Sequence, residues 1–104
     1  MASEQESIEA AASVLESVER SLAGSAESVE QLVGLHAWAA GAALRGLCAS
    51  FVVVPTAETD VSSGLRLALD RLDGLSFTTR MTEEVSTAIG HVRSALGAWA
   101  SSAA

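Results

Sequence analysis

Pro55 is the only proline in the chain of 104 residues, and it falls near the middle of a sequence whose apolar residues otherwise recur at steps of three and four. A proline supplies no backbone amide and pushes the residue before it out of helical geometry, so no regular helix runs through this point. The stretch "FVVVPTAETD", Phe51 to Asp60, is therefore the main interruption. Val52, Val53 and Val54 are β-branched and suit an extended backbone. Nothing else in the sequence offers a strand to pair with them. The expected fold class is all-α: an antiparallel helical hairpin or four-helix bundle, with one long or split N-terminal helix, a break near Pro55 and two shorter C-terminal helices. A chain of this length holds one core of ordinary size, so residues 1–104 are expected to form a single helical domain.

The first helix has a marked start. Ser3 followed by Glu6 has the spacing of a capping box, in which the serine oxygen takes a free amide of the first turn and the glutamate reaches back to the cap amide. Beyond it, Ile8, Ala11, Leu15, Val18 and Leu22 form an apolar stripe, and the same register continues through Val29, Leu32, His36 and Ala39. Gly24 interrupts this register at a cost of about 1 kcal/mol relative to Ala, too little to force a break alone. Gly24-Ser25 also reads as a stop followed by a new cap, so one helix from Ser3 to about Ser50 and two helices divided near Gly24 both remain open. After Pro55, Thr59 or Asp60 can cap a helix with the face Val61, Leu65, Ala68, Leu69 and Leu72, closed by Gly74. From Thr79 or Thr82 a last helix presents Met81, Val85, Ala88, Val92, Ala95 and Trp99.

The segment "GLHAWAAGAALRGLCASFVVVP", Gly34 to Pro55, is long enough to cross a bilayer, which takes roughly 20 apolar residues. Arg45 divides it, and a central arginine costs about 2.5–3.5 kcal/mol even on lenient insertion scales. A membrane span is not the expected reading. Placed on a helix, Val29, Val33, His36, Ala40, Leu44, Leu47 and Phe51 share one face, while Leu35, Trp38, Ala42, Ala49, Val52 and Val53 form much of the other. A helix apolar on both sides is central in a bundle or shared between subunits. Arg45 lies on the Trp38/Ala42 side, where a carboxylate, the indole or solvent can receive it. Gly34, Gly41 and Gly46 are the glycines expected to permit close helix approach.

The net charge of −7 is concentrated at the front, where Glu4, Glu6, Glu9, Glu16, Glu19, Glu27 and Glu30 face only Arg20. Without a basic stripe, nucleic-acid binding is not expected. The chain has no Lys and no Asn, and its Ala/Arg bias points to a GC-rich bacterial genome. The acidic start "MASEQESIEA" lacks the basic and apolar regions of a cleaved leader. The expected location is cytoplasmic, or secreted without a cleavable signal. Cys48 is the only cysteine, so no internal disulfide forms. Neither histidine has the Glu-x-x-His spacing of di-iron bundles, and two histidines with one cysteine lack zinc-ligand spacing. No metal, cofactor or catalytic residue is expected. Cys48 would act as a nucleophile only if the fold brought His36 or His91 to it.

Two stretches carry family resemblances. "SIEAAAS", Ser7 to Ser13, and "AWAAG", Ala37 to Gly41, resemble the first helix and Trp-containing turn of the WXG-type helical hairpins exported by type VII secretion. Here the motif is Trp-x-x-Gly, and Ala103 stands where the export signal after Trp99 would place an acid. The resemblance implies a helical heterodimer or homodimer. "LRLALDRLDGLSFTTRMTEEVSTAIGHVRSALG", Leu65 to Gly97, is similar to the first long helix of all-helical chorismate mutases, which would place Arg66, Arg80 and Arg93 around a small dicarboxylate. The functional expectation is a non-catalytic interaction protein, a homo-oligomer or helical heterodimer partner, with Leu35, Trp38, Ala42, Arg45, Val92 and Trp99 at the interface. The alternative is a small helical enzyme with an arginine-lined pocket between subunits.

Overall fold

The structure is a computed structural model that describes residues 3–48 and 60–102. Its elements are α1 (Glu4–Leu22), α2 (Ser28–Arg45), α3 (Val61–Asp73), the single turn α4 (Phe77–Arg80) and α5 (Glu83–Ser102). Pro55, Ala49, Phe51, Val52 to Val54 and Thr59 lie outside the described residues. Among the described residues, no helix is long and apolar enough to cross a membrane.

The serine half of the cap at the start of α1 forms as its spacing predicts: the Glu6 amide donates to Ser3 Oγ at 3.1 Å. Glu4 and Glu6 occupy the first turn, where carboxylates oppose the positive end of the helix dipole. All five residues of the expected α1 stripe are buried, and Ala12, Val14 and Ser13 are buried beside them. Such a wide covered arc requires a helix on each flank, and α1 lies against both α2 and α3.

Of the two possibilities at Gly24, the split is the one found. Gly24 adopts φ 81°, the left-handed region in which an L side chain costs about 1–2 kcal/mol. Ser25 then ties the turn to α2. Its Oγ accepts from the Glu27 amide at 3.1 Å and donates to the Glu30 carboxylate, and its carbonyl accepts from Gln31 Nε2 at 3.0 Å. A non-helical turn resets the angular phase of whatever follows. The register carried across from α1 is accordingly lost: Leu32 is 45% exposed, while Val33, Ala37, Ala40, Gly41 and Leu44 are buried.

α3 is capped by Asp60, whose carboxylate accepts from the Ser63 amide at 2.8 Å. It buries Gly64, Leu65, Ala68 and Leu72 and ends at Gly74, which sits at φ −77° and so uses none of glycine's left-handed freedom. In the turn that follows, Ser76 Oγ accepts from the Thr79 amide and caps α4. α5 buries Val85, Ala88, Val92 and Ala95 as its periodicity predicts; Met81 precedes it and is 66% exposed.

The four long helices form a closed ring, because α5 packs against the same two helices as α1, namely α2 and α3. Neighbours around the ring are antiparallel. Leu22 near the end of α1 meets Gly34 early in α2, and Gln5 Nε2 at the other end donates to the Leu47 carbonyl at 2.9 Å. Likewise Gly64, early in α3, meets Val18 and Val14 of α1, whereas Glu4 reaches Ser76 and Thr79 beyond the end of α3. The tight approach is at Gly64, where an added Cβ would stand 2.8 Å from Val18 Cγ2. At Gly34, Gly41 and Gly46, the glycines expected to admit close packing, an added Cβ would stand 3.6–3.8 Å from its nearest neighbour, ordinary contact.

Candidate functional site

Once α2 has turned Val33, Ala37, Ala40 and Leu44 inward, and Val29 and Ala43 pack at the edge of the core, the apolar side chains left on its outer side face water. Leu35 is 60% exposed and Trp38 49% exposed, with Leu32 beside them and Ala42 also exposed. From Gln31 to Leu44 the helix holds no Asp, Glu, Lys or Arg. The outward face of α2 is therefore an uncharged stripe on an acidic protein. Leu35 and Trp38 also border an open groove of about 310 Å³ between α1 and α2, together with Glu19, Leu22, Glu30 and Gly34.

Arg45 closes the stripe at the end of α2. Its Nη2 lies 3.9 Å from Glu19 Oε2 on α1, so the carboxylate it faces belongs to its own chain. Both side chains are about one-third exposed, at 38% and 33%, and a pair so hydrated is worth little in stability. It does fix a charge boundary at one end of the apolar stripe.

Trp99 is half-buried. It lines a second open groove, about 710 Å³, with Ser62, Arg66, Leu96 and Gly97, between α3 and α5. In a ring ordered α1, α2, α5, α3, this groove lies across the bundle from the one bearing Trp38. The two tryptophans therefore serve different surfaces. Val92 serves neither: it is fully buried in the core, and its expected place in a partner interface is corrected by that burial. The periodicity of α5 marked an apolar face correctly, but α2 and α3 of the same chain cover it.

The residues with reactive side chains are dispersed. Cys48 Sγ donates to the Leu44 carbonyl at 3.4 Å, and burial, then the neighbouring Glu9, push its thiol above the usual value, against a smaller opposing effect of Arg45. A thiol held protonated is a poor nucleophile. The histidines are engaged with each other instead: His36 Nδ1 on α2 and His91 Nδ1 on α5 are 2.9 Å apart. Their 55-residue separation leaves no local spacing by which sequence could reveal the contact. No group of three His, Cys, Asp or Glu that could hold a metal occurs among the described residues. Arg66, Arg80 and Arg93 sit on α3, α4 and α5, so the Leu65–Gly97 stretch is three helices rather than one. Arg93 lies 3.8 Å from Asp73, a carboxylate of its own chain. Trp38 and Gly41 of the Trp-x-x-Gly stretch lie within α2, and the hairpin turn is Ala23 to Glu27.

No family model matches the chain, and no curated protein or solved structure compared with it matches either.

Proposed function

We propose that this is a non-catalytic helical interaction protein that associates with a second copy of itself through the outward face of α2. The observation that carries the reading is the exposure of Leu32, Leu35 and Trp38 on one helix with no intervening charge. Contiguous apolar surface on a small protein marks a contact or invites aggregation. Leu35, Trp38 and Ala42 form the centre of the contact, and the Arg45–Glu19 pair forms a polar edge, the arrangement usual at protein interfaces. Self-association also adds the burial that a core rich in alanine and poor in aromatics lacks. Trp99 and Arg66 belong to a separate groove and are not needed for this contact.

Trp38→Glu places a charge in the centre of the stripe without touching the core. Its sedimentation should shift to the monomer, while Leu67→Glu, which charges an exposed α3 leucine away from the stripe, leaves assembly intact. Equal behaviour of the two variants would overturn the proposal. Association with a different helical chain, as the WXG-type resemblance implies, would show as a monomer alone and a complex only on co-expression.

A further inference from the structure

The His36–His91 contact has no role in the interaction surface just described, since it joins α2 to α5 rather than lining the Leu35/Trp38 stripe. Both rings are half-buried at this seam, so helix packing restrains them while leaving access from solvent. The rings are tilted by 43° with centroids 5.2 Å apart. They meet edge to edge through the same atom, Nδ1, on each.

We propose that His36 and His91 form a two-imidazole site for a divalent transition ion of the imidazole-preferring class, Zn2+ to Cu2+. Zinc–imidazole bonds are about 2.0–2.1 Å, so two nitrogens on one ion stand about 2.9 Å apart at a right angle and about 3.4 Å apart at the tetrahedral angle. The observed 2.9 Å separation matches the first distance; because the two nitrogens face each other along a hydrogen bond, each ring must also turn by about 35–45° for both lone pairs to meet on an ion beside the N–N line. The two ligands come from different helices, so the ion would clamp α2 to α5. Glu84, seven residues and two helical turns before His91, lies on the same side of α5, and the net charge of −7 favours a cation over the whole surface.

Without an ion, one Nδ1–H donates to the other ring's Nδ1 lone pair. Binding needs both lone pairs, so the donor ring's proton moves to its own Nε2 through solvent. With both Nδ1 lone pairs on the ion, each ring carries its N–H at Nε2. With two protein ligands the ion keeps open positions for water, and its affinity falls below that of closed four-ligand structural sites.

The test is calorimetric titration of the full chain with Zn2+ at neutral pH, with ¹⁵N shifts of the histidine rings recorded before and after. One ion per chain, with both Nδ1 resonances moving, is the expected result. His36→Ala and His91→Ala should each weaken binding by at least about tenfold, with helicity checked by circular dichroism. Absence of saturable binding, binding that persists in both variants, or movement of one ring alone would overturn the proposal. If either variant does not fold, the ring shifts of the unmodified protein decide.

Discussion

Replacing Gly64 with alanine adds one methyl where α3 packs tightly against α1. The new Cβ would lie 2.8 Å from Val18 Cγ2 and 3.6 Å from Val14 Cγ1, whereas unstrained carbon contacts begin near about 3.5 Å. Val18 is 5% exposed and β-branched, so its methyl cannot swing aside without leaving its rotamer or moving the helix. Overpacking of this kind costs about 1–3 kcal/mol. Alanine regains about 1 kcal/mol of helix propensity, so Gly64→Ala should destabilise by about 0–2 kcal/mol net. Val18→Ala alone should cost about 2–3 kcal/mol through lost burial and a cavity. The pair is diagnostic because the cavity of the second variant accepts the methyl of the first. The double variant should therefore be more stable than the sum of the single changes predicts, by about 1–3 kcal/mol. Urea unfolding followed by circular dichroism at 222 nm measures all four corners of the cycle. Additivity to within about 0.5 kcal/mol would refute the close approach of α1 and α3 at this residue.

Gly90 and Gly97 lie in α5 with no atom of the described residues within 4 Å of an added Cβ, so Gly90→Ala and Gly97→Ala should each stabilise by about 0.8–1 kcal/mol. Gly24→Ala, at φ 81°, should destabilise by about 1–2 kcal/mol, and thermal unfolding separates the two directions. In acid, Glu4 and Asp60 should be felt. The Ser76 amide, then the Thr79 hydroxyl, hold the Glu4 carboxyl below its ordinary 4.5, and the Ser63 amide and hydroxyl hold Asp60 below 3.8. Their stabilisation is complete above those ordinary values and is lost as pH falls through the lowered ones, so Glu4→Gln and Asp60→Asn should flatten the acid limb of a stability-against-pH curve; unchanged limbs would contradict the two contacts.

Where the sequence could be read and where it could not follows from how local each determinant is. The Ser3 cap, the Asp60 cap and the α1 stripe lie within a few residues of what they organise, and each appears in the structure. Gly24 shows the limit: continuing one register across it assigns Leu32 and Ala39 to the core, but a single left-handed residue resets the phase and turns Val33 and Ala37 inward. The outward Leu35, Trp38 and Ala42 were legible because α2 is apolar on both sides and only one side can face the core. Val92 was misplaced for a related reason. An apolar period shows that a face is covered, not whether its own chain or a partner covers it. The His36–His91 contact and the Gly64–Val18 approach depend on packing between distant segments, and no residue near either of them announces it.

Whether α2 makes a subunit contact is decided by the solution mass of the unmodified chain, followed by light scattering across micromolar concentrations. A mass of about twice the 10.6 kDa of one chain, falling toward one chain on dilution, is the predicted result. A mass of one chain at every concentration, with Leu35 and Trp38 in water and no aggregation, would contradict it.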